Sequence, residues 1–159
     1  MKYYLTILFL LIAPSGHALE FKCNFEEVYK DGSTQLGILL LKDSELRYEY
    51  FDTNLFTIFK KNSDFFYVKN NRTDMFEKID QNVTLLNDIT SILQKYPNVQ
   101  NFYMEDDIHF SIEPSETTGF VKRIGVQSPK LNLSIYFRDC AATTIPSKYL
   151  NFFPYSKYP

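Results

Sequence analysis

Leu131-Asn132-Leu133-Ser134-Ile135-Tyr136-Phe137-Arg138 alternates apolar and polar along its whole length. Leu131, Leu133, Ile135 and Phe137 fall on one face, and Asn132, Ser134, Tyr136 and Arg138 on the other. A period of two marks a strand with one face in a core and the other in water. The same rhythm recurs upstream in Leu46-Arg47-Tyr48-Glu49-Tyr50-Phe51, where Leu46, Tyr48 and Tyr50 oppose Arg47 and Glu49.

Working outward from these segments, short apolar runs alternate with polar turns. Leu19 to Tyr29 reads as a first strand, ended by Lys30-Asp31-Gly32-Ser33. Thr34 to Lys42 follows, apolar on both faces near its end, and then the turn Asp43-Ser44-Glu45. Leu55 to Lys60, Phe65 to Lys69 and Met75 to Ile79 continue the series. Strands of about six residues joined by short turns describe an antiparallel meander. Later strands are expected at Gln100 to Met104, Ile108 to Ile112 and Phe120 to Val126. The tail from Ile145 carries Leu150, Phe152 and Phe153, and is expected to pack back on the sheet.

One segment breaks the rhythm. Leu85, Leu86, Ile89, Ile92 and Leu93 have helical spacing. Thr84 is a candidate N-cap, and Tyr96-Pro97-Asn98 stops the helix. A lone amphipathic helix among strands covers an open sheet, so the chain reads as mainly β.

The N-terminus has the three parts of a signal peptide: Lys2, the apolar run Leu5 to Ala13, and small residues in Gly16-His17-Ala18. The run is about half the ~20 residues that a membrane-spanning helix needs. Cleavage after Ala18 leaves residues 19–159 as one domain, long enough to bury a core without staples. Cys23 follows Leu19-Glu20-Phe21-Lys22, which does not suit a lipid-attachment box. Export makes a Cys23–Cys140 bridge the favoured reading, with two separate buried thiols as the alternative.

The composition is rich in aromatics, with 15 Phe and 12 Tyr but no Trp. That fits either a dense core or an apolar cavity. The net charge of −2 offers no basic field, so nucleic-acid binding is not expected. After cleavage His109 is the only histidine, and alternation turns it to solvent. No nucleophile elbow, cysteine-protease signature, metal-ligand spacing or glycine-rich phosphate loop is present. Glu105-Asp106-Asp107 reads as a turn, since it lacks the Gly and the alternating oxygens of a calcium loop. No catalytic residue, metal or cofactor is expected, and a hydrolase with converging carboxylates is the remaining enzymatic alternative. The triplets at Asn71, Asn82 and Asn132 are formal glycosylation sites only.

The order of elements resembles the periplasmic outer-membrane lipoprotein carrier family (LolA-like). The resemblance rests on Leu39-Leu40-Leu41-Lys42, a tight turn, Leu46-Arg47-Tyr48-Glu49-Tyr50, an aromatic hairpin and a Leu-Leu-x-x-Ile helix. Leu131 to Phe137 and Ile145 to Pro154 look like the family's last strands and ending, so the likeness runs from about Gln35 to Pro154. Two features depart from the family pattern. The chain enters a strand where the family begins with a helix, and the turn Lys42-Asp43-Ser44-Glu45 has one basic residue.

The resemblance implies a strongly bent antiparallel sheet, a half β-barrel, under a short helical lid. It implies a monomeric, non-enzymatic periplasmic carrier that shields the acyl chains of lipidated proteins, or another lipid, in an apolar cavity. Such a carrier would receive cargo from an inner-membrane release complex and pass it to an outer-membrane acceptor. The implied cavity lining is Leu39, Leu41, Leu46, Tyr48, Tyr50, Phe56, Ile58, Phe65 and Tyr67, with Leu86, Ile89 and Leu93 as lid. Plain core packing is the alternative for each of these residues. A structural or interaction protein without a lipid is the alternative function.

Overall fold

The computed structural model describes residues 20–61, 65–80 and 84–151. The expected signal peptide, and Phe152 and Phe153 of the tail, lie outside these residues.

Six strands follow one another: β1 (Glu20–Tyr29), β2 (Thr34–Lys42), β3 (Glu45–Tyr50), β4 (Phe56–Lys60), β5 (Phe65–Asn70) and β6 (Phe76–Asp80). A helix, α1 (Thr84–Lys95), separates them from β7 (Phe102–Glu105), β8 (Ile108–Pro114), β9 (Val121–Gln127) and β10 (Asn132–Ala142). A 3-10 turn at Ser147–Tyr149 follows. The ten strands form one antiparallel sheet in the order β6-β5-β4-β3-β2-β1-β10-β9-β8-β7. Two meanders are thus joined edge to edge, and the joint is the pairing of β1 with β10. The hairpin turns are set locally by residues that tolerate left-handed backbone. Gly32, Asp43 and Asp106 have φ of 82°, 52° and 51°.

Alternation sorts the side chains as the sequence predicts. Leu133, Ile135 and Phe137 of β10 are buried, while Asn132 and Arg138 are exposed. One apolar cluster joins the inward residues of β1, β2, β3, β4, β5, β8, β9 and β10 to Ile89, Ile92 and Leu93 of α1. Phe66 on β5 and Ile112 on β8 both belong to it. In a flat sheet strands seven places apart lie roughly 34 Å from each other, at ~4.8 Å per strand. A helix of 12 residues is only about 18 Å long, at 1.5 Å per residue. The sheet therefore bends around α1, which lies on its inner face as a short lid. The sheet does not close: β6 and β7 are its two edges.

The outer face has its own small cluster, which explains why β2 is apolar on both sides. Ile38 and Leu40 pack against Ile145 and Leu150 of the returning tail. Arg47, fully buried beside them, donates to the Tyr149 carbonyl at 2.9 Å, pairs with Glu49 at 2.5 Å and lies over the Phe59 ring. Glu20 holds the tail's start, accepting from the Ile145 amide at 2.6 Å and pairing with Lys42 at 2.9 Å. Those two contacts, the amide first, hold the Glu20 carboxyl below the usual carboxylate range.

Cys23 and Cys140 form a disulfide across β1 and β10, with their Cα atoms 4.2 Å apart. Simple alternation from Phe137 would turn Cys140 outward. A β-bulge prevents this. Lys22 faces Ala141 and Asn24 faces Arg138, so Cys23 stands opposite both Asp139 and Cys140. Asp139 takes a φ of 52° and accepts a hydrogen bond from Asn24 Nδ2 at 3.0 Å. The extra residue re-aims Cys140 towards Cys23. Such a bridge suits an oxidising, extracytoplasmic compartment.

The bridge spans 117 residues. On a chain-entropy argument, closing a loop of ~100 residues stabilises by up to about 4.7 kcal/mol. Replacing Cys23 and Cys140 together with Ala is expected to lower the unfolding free energy by about 2–5 kcal/mol. Urea denaturation of the variant beside the oxidised parent measures this. An unchanged midpoint would show that the strand pairing alone holds the two meanders together.

Candidate functional site

The inner face is wider than one helix can fill. Between α1 and strands β1, β3, β4, β5, β6 and β10 it leaves a cavity of about 410 Å³. Leu46, Tyr48 and Tyr50 of β3 form its floor with Phe56 and Ile58 of β4, and Leu86, Ile89 and Leu93 of α1 form its roof. These are eight of the twelve positions expected to line a cavity, and the fold brings them around this one. Leu39 and Leu41 point to the same side of the sheet but are fully buried in the core and do not reach the cavity.

Phe65 and Tyr67 require a correction. Residues directly opposite in neighbouring strands share a face. Tyr48 pairs with Ile58 and Ile58 with Val68, while Lys60 pairs with Phe66. Val68 and Phe66 therefore face inward. Tyr67 pairs with Phe59, which pairs with Arg47 on the outer face. Phe65 carries Lys78 over its ring on that same outer side. The run Phe65-Phe66-Tyr67 is apolar on both faces, so its alternation cannot choose a side. Only the pairing register does.

The largest omission of the sequence reading is Glu27. It lies on β1 in phase with Phe21, Cys23 and Phe25, and is 4% exposed. Its Oε1 accepts from the Tyr48 hydroxyl at 2.8 Å, and its Oε2 from Tyr29 at 2.6 Å. Tyr50 donates to both oxygens at 3.0 Å. Burial, and then the neighbouring Glu27 charge, raise the Tyr48 and Tyr50 hydroxyls above the usual phenol range. The Tyr29 hydroxyl is raised by burial and by its bond to Glu27. All three stay protonated donors at neutral pH. The signal was present in the sequence as an acidic residue on the apolar face of an alternating strand. The other lining residues that were not anticipated are Tyr29, Val68, Ile79, Leu85, Thr90, Leu131, Leu133 and Ile135.

Aromatic packing fixes the tyrosines. Phe25 stacks on Tyr48 with ring centroids 3.8 Å apart, and Tyr50 meets Phe25, Tyr48 and Phe56 edge to face. Gly37, opposite Phe25, makes room for this stack. A Cβ there would come within 2.2 Å of the Phe25 ring and of the Glu49 carbonyl.

Chemistry elsewhere is sparse. His109 is exposed on β8. Among the described residues no group of His, Cys, Asp and Glu is arranged to hold a metal ion. Where α1 approaches β7, burial and the nearby Glu105 and Asp106 push the Asp88 carboxyl up to about 6. No family model and no curated protein matches the chain in sequence.

Two expectations follow. Gly37→Ala forces the Phe25–Tyr48 stack apart and is expected to destabilise by about 1–3 kcal/mol, read by thermal or urea unfolding. Asp88 binds its proton more tightly folded than unfolded, so its own contribution to stability is fully present below its ordinary value of 3.8 and is lost as pH rises through about 6. Asp88→Asn should flatten that decline in a pH series of urea midpoints. A slope unchanged in the variant would assign it to other carboxylates.

Proposed function

We propose that this protein is a non-catalytic periplasmic carrier that holds an acyl chain or similar lipid tail beneath α1. The cavity is the observation that carries this reading. Its 410 Å³ falls within the ~300–1,000 Å³ of small-ligand sites, and its wall is almost wholly Leu, Ile, Val, Phe and Tyr. Each methylene transferred from water into such a space contributes ~0.8 kcal/mol, so a lipid needs no catalytic group to be held. The resemblance to outer-membrane lipoprotein carriers supports transfer towards the outer membrane, and the disulfide suits an oxidising compartment. Lipidated proteins or lipids would be the cargo, with an inner-membrane donor and an outer-membrane acceptor as partners.

A second reading has its own observation. Edge strand β7 exposes Phe102 at 75% and Met104 at 64%. An unpaired apolar edge is a surface on which another chain can add a strand. On that reading the domain is an interaction module.

Native mass spectrometry of protein purified from a Gram-negative periplasm separates the two. A co-purified lipid mass, lost on mild organic extraction, is expected. Leu86→Trp, which fills the cavity from the lid, should weaken binding of an uncharged fluorescent alkyl probe by tenfold or more. A bare mass together with no probe uptake by the parent would leave the interaction module.

A further inference from the structure

The cavity wall is apolar except at Thr90 and where Glu27 meets its tyrosines. Among its lining residues there is no Lys, Arg or His, and one carboxylate, Glu27. That carboxylate is more than nine-tenths buried. Its hydrogen bonds come from Tyr29, Tyr48 and Tyr50, and among the described residues it forms no ion pair. Hydroxyl donors ease the burial of a carboxylate but do not cancel its charge.

The direction of these bonds matters. Each tyrosine spends its one O–H proton on Glu27, so what remains on each phenol oxygen is acceptor capacity. This part of the wall presents lone pairs, aromatic rings and one negative charge. It attracts N–H donors and cations, and repels an anionic head group. These residues border a second depression, which shares Tyr29, Tyr50 and Phe56 with the cavity and adds Asp31, Ser33, Gln35 and Leu55. Asp31 is exposed, and hydrogen bonds from Ser33 hold its carboxyl below the usual range, keeping it ionised. A head group leaving the apolar cavity on this side meets a second negative charge.

Resting on the reading of the cavity as a lipid-tail site, we infer that its ligand is a cationic amphiphile. The alkyl chain lies under α1, and an ammonium head stands against Glu27 in its ring of tyrosines. Binding is electrostatic and apolar, with no covalent step.

Calorimetric titration of the disulfide-bonded protein at pH 7 tests this. The probes are dodecylammonium, dodecanol and dodecanoate below their micellar concentrations. The ammonium is expected to bind at least tenfold more tightly than the alcohol, with the carboxylate weakest. Glu27→Gln keeps an acceptor for the tyrosines but removes the charge. It should erase the preference for ammonium, read as the ratio of the ammonium and alcohol affinities within the variant. Equal binding of the three chains, or a preference for dodecanoate, overturns the head-group assignment and leaves the tail site standing. Failure of all three to bind overturns both. The ranking in the parent protein decides the matter even if the variant does not fold.

Discussion

The pairing of β1 with β10 holds the rest of the structure in place. Each of the two meanders could form from neighbouring strands alone. Alone, each would also expose an inner face that α1 is too short to cover. Joined at β1 and β10, they make one curved surface whose inner residues form a single cluster with the helix. The disulfide, the bulge at Asp139 and the Asn24–Asp139 hydrogen bond all lie on this seam. A bulge also raises local twist, so the device that re-aims Cys140 bends the sheet where bending is needed.

The cavity follows from the same geometry. A bent sheet of ten strands encloses more width than a helix of twelve residues can fill. On the β8–β9 side, Phe110, Phe120 and Ile124 close the gap. On the β3–β4 side the space stays open, and the chain places a charged residue and three hydroxyls at its margin. A core selected only for stability would put an apolar side chain at position 27, since a buried carboxylate is costly even when hydrogen-bonded. The stack of Phe25, Tyr48 and Tyr50 over Gly37 holds the donors where they can offset that cost.

Much of the fold was legible in the sequence because its strands are half-buried. Alternation placed Leu133, Ile135 and Phe137 inward, and the 3.6-residue spacing found α1. The tail's return was legible from Ile145 and Leu150, which cover Ile38 and Leu40. Legibility failed where local pattern carries no information about partners. Phe65-Phe66-Tyr67 has no polar member to mark the solvent side, so register alone assigns Phe66 inward. The bulge at Asp139 shifts the phase of β10 after the strand's alternating run has ended. Glu27 was missed because an inward acid breaks the rule on which the reading rests. Its partners Tyr48 and Tyr50 lie 21 and 23 residues away, and only the sheet brings them near. An apolar cavity was an expectation from the sequence, but a charge within it was not.

The seam between the two meanders also dictates when the molecule can acquire its structure. β1 leaves the ribosome about a hundred residues before its partner β10. Until β10 is made, the inner face of β1 and β2, with Phe21, Phe25, Leu39 and Leu41, has only half its cover. Contacts so distant along the chain must wait for a long loop to close, and topologies dominated by them fold slowly. The complete core therefore cannot form before β10 is made.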